Sequence, residues 1–390
     1  MPPVNLLERL GRPPAVAALD GEEAVYVVGG AVRDLLLGRV PHELDFVVEG
    51  DAAAVARRAA TRIGGRVLVH ERFGTATVEG PGTVFDLAGA RRERYERPGA
   101  LPEVQLGASL GEDLARRDFT INAIALHLVD GELTAWPGAR EDLEAGVLRV
   151  LHGGSFVDDP TRLLRLARYA ARLGFEPEPE TDALAAAAVA GGAVETVTGP
   201  RLGAELRLLV REPLPGALLA LERHGLGAAV LGPAFAVDAG TVERTLDLTP
   251  PDARADLAAL AACLTRGDRA ALAAALDRLG FPAGERRVLV AAAGHRALEP
   301  LDDVALWRRL RVVPAEVVAV AGALGDAAAA RRWLGDLRHR RLEINGDDLV
   351  AAGLSGPPVG EALDRATEAM LAGRAPTREA QLAAALNRAA

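Results

Sequence analysis

The sequence predicts two regions of different build: a sheet-based N-terminal part, α/β or α+β, and an all-helical remainder beyond about residue 155. Three observations carry this. Between residues 24 and 136, short β-rich runs alternate with helical stretches. From about residue 155 the pattern turns to Ala, Leu and Arg at helical spacing, broken by Pro and Gly in "REPLPG", "LGPAF", "LTPPD" and "LGFPAG". With 390 residues and 49% hydrophobic content, the chain can bury a sizeable core and is long enough for two or three domains.

In order, the runs expected as strands are "AVYVVG", "LDFVV", "RVLVH", "TATVEG", "TVFDLA", "AIALHLV" and "ELTAW". The expected helices between them are "AVRDLLLG" and "DAAAVARRAATRIGG", and the Asp130-Gly131 pair between the last two runs is a hairpin signal. The segment "RRERYERPGALPEV" reads as a long mobile loop. No fixed-period repeat indicates a solenoid.

Composition excludes several classes. The longest near-continuous apolar run, Ala183 to Val194, falls far short of the roughly 20 residues of a membrane helix. The N-terminal "MPPVNLLERLGRPP" lacks a basic segment followed by an apolar core, so no secretory signal is expected, and a cytoplasmic location follows. Cys263 is the only cysteine, which excludes an internal disulfide framework and a cysteine-based zinc cluster. A net charge of −9 argues against indiscriminate nucleic-acid binding. All 45 basic residues are arginine, so local arginine clusters, with their forked and permanently charged contacts to phosphate, carry more information than the global charge.

Four constellations bear chemistry. In "VVGGAVRD" a strand ends in Gly29-Gly30 and runs into a helix, placing bare N–H groups at a positive terminus with Arg33 in the first turn, a phosphate site or simply a structural turn. In "HELDF", Glu43 and Asp45 alternate across Leu44 and so share one face of an expected strand. Two carboxylates aimed together repel unless a cation lies between them, which suits a two-metal phosphoryl-transfer site; a solvated strand face is the plainer reading. Asp86, on another strand, is a third acid for that cluster. In "EDLARRDFTINAIAL", Arg116, Arg117, Asp118 and Asn122 stand at a helix-to-strand junction where a ribose or triphosphate could be held, with capping and ion pairing the structural alternative for Asp118. In "FVDDPTRLLRLARYAARLGF", Arg162, Arg165, Arg168 and Arg172 line one helical face, while Pro160 at the first helical position makes Asp159 the expected N-cap.

These four elements, in this order, resemble the class II nucleotidyltransferases, the family of tRNA nucleotidyltransferases (CCA-adding enzymes) and bacterial poly(A) polymerases. The pattern covers roughly residues 20 to 210, and the tail "INGDDLVAAGLSGPPVGEAL" is similar to the C-terminal region of bacterial members. The resemblance implies an α+β fold: a nucleotidyltransferase head with a mixed β-sheet at 1–150, a helical neck with the base-reading motif at 151–215, and a helical, tRNA-binding body and tail at 216–390. By the same resemblance Gly29, Gly30 and Arg33 hold the triphosphate, Glu43 and Asp45 hold Mg²⁺ in a two-metal site with Asp86 as third acid, and Arg117, Asp118 and Asn122 contact sugar and phosphates. Asp159 and Arg162 read the incoming base, with Arg165 and Arg168 counted beside them as nucleotide-binding. This chain departs from the family where Glu43 replaces its aspartate, where Ala135-Trp136 replaces Asp-Pro, and where Pro200 precedes Arg201 in place of a glutamate.

The base-reading pair makes chemical sense unaided. Cytosine and adenine both present an amino donor beside a ring-nitrogen acceptor, whereas guanine and uracil invert that order. A carboxylate with a guanidinium therefore admits C and A together. The expected function is template-independent addition of C and/or A from CTP and ATP to the tRNA 3′ end, with pyrophosphate released. The rivals are a poly(A) polymerase, a partial CC- or A-adding enzyme and, from another class, a non-catalytic RNA-binding homologue. The "RRERYERPGALPEV" loop is associated with A addition in the family, which disfavours a CC-only enzyme. For RNA, the expected surface is the arginine-rich segment holding Arg308, Arg309, Arg311, Arg331, Arg332, Arg338, Arg340 and Arg341, beside Trp307 and Trp333, with a solvated helical surface the alternative. No membrane or protein partner is inferred.

Overall fold

The computed structural model describes residues 5–71 and 74–386. The first four residues of the N-terminal segment considered above lie outside these. The chain divides into two units, Met1–Leu209 and Val210–Ala390, so the sheet and the first helices that follow it belong to one unit.

The first unit is built on seven strands: β1 (Val25–Val28), β2 (Asp45–Val48), β3 (Arg66–His70), β4 (Thr75–Gly80), β5 (Thr83–Gly89), then β8 (Ile124–His127) and β9 (Leu133–Ala135). They pair in the order β3-β4-β5-β2-β1-β8-β9. All neighbours are antiparallel except β2 and β5, which run parallel and set Asp45 opposite Asp86. The central strands β1, β2 and β8 are apolar runs largely buried on both faces, while β4 and β5 alternate: Val27, Phe46, Val78, Phe85, Leu87 and Leu126 are buried, with Phe46 edge-on to Phe85 at 5.6 Å.

Helix α3 (Gly30–Leu36) follows β1, and α4 (Ala52–Ile63) follows β2. Asp51 caps α4 by accepting from the Ala54 N–H, Gly64 ends it in the left-handed region, and its small face of Val55, Ala56, Ala59 and Ala60 is buried. Two further strands, β6 (Arg91–Arg94) and β7 (Glu103–Leu106), form an antiparallel hairpin from Arg91↔Leu106 to Arg94↔Glu103. This corrects the expectation of a loop over "RRERYERPGALPEV".

Helix α5 (Leu110–Ala115) leads to a 3₁₀ turn at Thr120–Asn122; α6 (Ala139–Ala145) follows the sheet, then α7 (Ser155–Asp158), α8 (Thr161–Leu173), α9 (Pro179–Ala190) and α10 (Gly199–Leu209). Among the described residues beyond 150, the only strand is Glu176–Pro177, which pairs with Val147–Leu148. On α8, Leu163, Leu166, Tyr169 and Leu173 are buried, but so are Arg162 and Arg168. The arginine stripe is thus solvated only toward its end, at Arg172.

The second unit is helical throughout its described residues. One core gathers Leu306, Leu310, Val318, Ala330, Trp333 and Leu334, and another gathers Ile344, Leu349, Ala362, Ala366 and Ala385. Among the described residues, no helix is long and apolar enough to cross a membrane.

Candidate active site

The carboxylates come first. Parallel pairing puts the Asp45 and Asp86 side chains on the same face of adjoining strands, about 4.8 Å apart along the hydrogen-bonding direction. Asp86 is further fixed by the Thr77 hydroxyl from β4, which donates to its Oδ1 at 2.5 Å. Glu43 is not in the strand: it sits in a bend two residues ahead of β2, exposed, and its carboxylate accepts no hydrogen bond among the described residues. Its alternation with Asp45 is therefore a correction, because β2 begins only at Asp45. Its charge still reaches Asp45, whose pKa is raised by its protein surroundings, pulled back by Arg117, and raised again by Glu43 and Asp86.

Hard oxygen donors crowded to mutual repulsion fit a divalent cation of the Mg²⁺ type, which takes one or two protein carboxylates and completes its shell with water and substrate phosphates. Among the described residues no three His, Cys, Asp or Glu side chains come together closely enough to hold a metal ion, so the structure pairs Asp45 with Asp86 and does not gather Glu43 with them into a three-carboxylate group.

Opposite the acids stands Arg117. Its Nη2 donates to Asp113 at 3.0 Å, while its Nε is buried without a hydrogen-bond partner, and burial lowers its pKa, opposed by Asp113. Gly29 makes room for it: a Cβ there would lie 2.8 Å from Arg117 Nη1, and the backbone at Gly29 has φ +66°. The Gly29-Gly30 turn and Arg117 therefore share one crowded corner.

Arg33 does not face that corner as a free cation. It is buried, donating to Asn122 Oδ1 at 2.7 Å and to Asp34 Oδ1 at 2.8 and 2.9 Å. The residue expected to hold triphosphate lies inside the protein, where Arg33 fixes Asn122. From Asn122 the chain of contacts continues: its amide donates to Asp118 Oδ1 at 3.0 Å, and Arg165 donates to Asp118 Oδ2 through Nε at 2.8 Å and Nη2 at 2.6 Å. Burial would raise the Asp118 carboxyl, but Arg165 and the Asn122 hydrogen bond outweigh it and hold the pKa at about 2. Arg165 and Arg168 then flank Glu205 of α10 at 3.5 and 3.6 Å, and Arg33, Arg165 and Arg168 all stack on the Tyr169 ring.

Asp159 and Arg162 flank the start of α8. The helix begins at Thr161 with Pro160 as N-cap, so Asp159 lies one residue farther out than expected, although its Oδ1 still accepts from the Thr161 N–H at 3.1 Å and hydroxyl at 2.7 Å. Arg201 Nη2 donates to the same oxygen at 2.9 Å. All these bonds converge on Oδ1, leaving Oδ2 for another donor. Arg162 is buried and anchored by Ser155 Oγ at 2.6 Å and the Arg116 carbonyl at 2.9 Å, which occupies two of its five N–H donors.

In the second unit, most arginines of the arginine-rich segment pair with carboxylates. Arg308 pairs with Glu368, Arg311 with Asp364, Arg331 with Asp247, Arg332 with Asp303, Arg338 with Asp252 and Arg340 with Asp336. Arg309 and Arg341 donate to backbone carbonyls. Trp333 is a core residue, and Trp307 is partly buried beneath Arg311 at 4.5 Å.

Residues 25–149 match the family model of the poly A polymerase head domain. A multifunctional CCA protein of Xanthomonas campestris pv. campestris is 32% identical over 89% of this chain and 98% of its own length. The chain belongs to the tRNA nucleotidyltransferase family. An A-adding tRNA nucleotidyltransferase of Geobacter sulfurreducens is 35% identical over 98% of this chain and 46% of its own, and a CC-adding one of Deinococcus radiodurans is 42% identical over 66% and 72%. The chain thus spans about half the length of several family relatives it matches. Among solved structures, the apo form II of a CCA-adding enzyme superposes with a TM-score of 0.84 at 29% identity, covering 97% of this chain and 96% of the other. The Thermotoga maritima CCA-adding enzyme complexed with tRNA gives 0.79 at 28%, covering 98% and 97%.

Within this family frame, sequence reasoning passed over Asp113, Arg201, Glu205, Ser155 and the β6 residue Glu93, all of which hold the expected site residues in place. Arg201, Glu205 and Glu93 carry a weak signal because their partners lie far along the chain, whereas Asp113 stands three and four residues before Arg116 and Arg117, a helical spacing the sequence does display. Asp113 is fully buried and ties Arg116 and Arg117 together at 2.8 and 3.0 Å.

Proposed function

We propose that this protein is a template-independent RNA nucleotidyltransferase that adds C and/or A residues from CTP and ATP to the tRNA 3′ end and releases pyrophosphate. The observation that carries the reading is the register-matched Asp45 and Asp86 pair facing Arg117, in the same unit as Asp159 and Arg162. A bound Mg²⁺ pair, held by Asp45 and Glu43 with Asp86, would supply an activated 3′-hydroxyl and neutralise the triphosphate's charge.

The protein's own groups do the rest. Arg117, whose Nη1 makes only a long 3.5 Å bond to the Asn122 carbonyl, offers a charge-assisted donor to phosphate oxygen. Asp118, Asn122 and Arg33 hold the turn that carries it. Asp159 Oδ2 accepts from the exocyclic amino group of cytosine or adenine, and Arg162 donates to the adjacent ring nitrogen; guanine and uracil would set donor against donor and acceptor against acceptor. With tRNA as substrate, the place of action is the cytoplasm. The paired surface arginines of the second unit contact the RNA backbone by exchanging carboxylate for phosphate.

A second reading, addition of the terminal A alone, is favoured by the A-adding relative's match to 98% of this chain. Incubation with Mg²⁺, each labelled nucleotide in turn, and tRNA ending either before CCA or in CC separates them. Incorporation of C and then A on the first tRNA supports full CCA addition. A alone, on the second tRNA only, supports the narrower activity. No incorporation on either would remove the catalytic reading.

A further inference from the structure

The β6–β7 hairpin touches both members of the base-reading pair through arginine. At its tip, the Gly99 N–H donates to the carbonyls of Val157 and Asp158 at 3.3 and 3.2 Å, seating the tip against the end of α7. Gly99 is buried with φ +68°, and a Cβ there would come within 2.7 Å of the Thr196 carbonyl oxygen, so the slot admits only glycine without displacement. Arg201 spans this slot: Nη1 donates to the Gly99 carbonyl at 2.9 Å and Nη2 to Asp159 Oδ1 at 2.9 Å. At the base of the hairpin, Glu93 accepts from Arg116 Nη1 at 2.8 Å, and the Arg116 carbonyl accepts from Arg162 at 2.9 Å.

We propose that Arg201 is a specificity-determining positioning residue: by bridging the hairpin tip to Asp159, it fixes which carboxylate oxygen is presented to the incoming base. This rests on the base-reading role proposed above. The guanidinium is suited to the task because its planar fork holds two oxygens at a set separation, whereas a lysine ammonium is a point charge on a flexible stem. Without the bridge, the Asp159 carboxylate keeps its bonds to Thr161 but rotates more freely about them, and the hairpin tip loses one of its ties. Arg201 acts on base choice and touches neither the acids of β2 and β5 nor Arg117.

The test measures kcat and KM for CTP, ATP, GTP and UTP on tRNA lacking its 3′ end, for the full chain and for Arg201→Gln, Arg201→Lys, Gly99→Ala, the Arg201→Gln/Gly99→Ala double variant and Asp159→Ala. Arg201→Gln is expected to raise KM for CTP and ATP about tenfold and narrow the preference over GTP and UTP by a similar factor, with kcat little changed. Gly99→Ala breaks the same bridge from the other side. It should reproduce the shift, and the double variant should be no worse than either single, because the two changes remove one shared interaction. Arg201→Lys should stay defective. Additive singles, a wild-type Arg201→Lys, or intact selectivity in Arg201→Gln while Asp159→Ala loses it would overturn the bridge alone. Intact selectivity in Asp159→Ala would overturn the base-reading role itself, and the bridge with it.

Discussion

Arginine is used in opposite ways in the two units. Around α5, α8 and α10 the guanidiniums are buried or half-buried and share carboxylates: Asp113 serves Arg116 and Arg117, and Glu205 lies between Arg165 and Arg168. In the segment from Arg308 to Arg341 they are largely exposed, and most have a carboxylate of their own. The buried kind dictates geometry, since removing one partner strands a charge at a cost of about 3–5 kcal/mol. The exposed kind contributes about 0–1 kcal/mol per pair, so a phosphate can replace the carboxylate at little loss. The first arrangement therefore suits a site that must be preorganised, and the second suits a surface that exchanges partners.

The comparison breaks most sharply at the acids that the buried arginines surround. Asp45→Ala should lower nucleotide incorporation by roughly a thousandfold or more. Filter-binding of tRNA by the same preparation should stay within about twofold, and undiminished turnover would take Asp45 out of the mechanism.

Next in size is Asp118→Ala, expected to cost about 1–3 kcal/mol in denaturant unfolding because half-buried Arg165 loses its nearer carboxylate and keeps only Glu205 at 3.5 Å. The pH dependence has a definite sign. A carboxyl held at about 2 when folded stabilises the protein fully above its unfolded value of about 3.9, and that contribution is lost as pH falls toward 2. The stability gap between wild type and Asp118→Asn should therefore narrow by about 2 kcal/mol between pH 5 and pH 2. A gap independent of pH would mean that the network does not depend on the ionised carboxylate.

A smaller effect sharpens the role of Glu43. Since this side chain is exposed and unbonded, Glu43→Ala should change stability by no more than about 0.5 kcal/mol. As a metal ligand it should nevertheless raise the Mg²⁺ concentration for half-maximal turnover several-fold, with Glu43→Asp close to wild type. A coincident titration for all three proteins would leave the metal to Asp45 and Asp86.

The exposed set should likewise show only small stability effects. Arg308→Ala and Arg331→Ala should each cost less than about 1 kcal/mol. If these arginines exchange carboxylate for phosphate, each substitution also flattens the salt dependence of tRNA binding, by about 0.7 to 0.9 per lost contact in the logarithmic slope. Unchanged slopes would leave them as ordinary surface pairs.

How much of this the sequence disclosed follows from where each partner lies. Strands β1, β2 and β8 are short apolar runs and β4 and β5 alternate buried with more exposed residues, so local pattern was enough to find them. The hairpin was not legible: "RRER" has no apolar face, and its contacts run to Glu112 and Arg116 in and just after α5, a tertiary pairing that no local period encodes. The ion pairs of the arginine segment were hidden for a similar reason. Counting acids within it found few, whereas Asp247, Asp364 and Glu368 arrive from helices and Asp252 from a turn, all distant in sequence. Arg33 was recognised as a site residue but not its direction, because helical position alone does not say that the side chain turns inward to Asn122. Asp45, Asp86 and Gly29 were legible because each sits at the end or middle of a well-patterned strand.

The parallel pairing of β2 with β5 also makes the acids tolerant of change elsewhere in the chain. Between Val48 and Thr83 run α4, β3 and β4, yet the alignment of Asp45 with Asp86 is set by the ladder the two strands share, not by the length of the intervening chain. A slip of one residue in that ladder would turn one carboxylate to the opposite face, and the buried neighbour on the same strand, Phe46 or Leu87, would be turned out with it. The hydrophobic core thus acts as a vernier for the catalytic acids: it locks them in whole-residue steps, so insertions in the α4–β3 connection would be absorbed at the surface while the carboxylates keep their alignment.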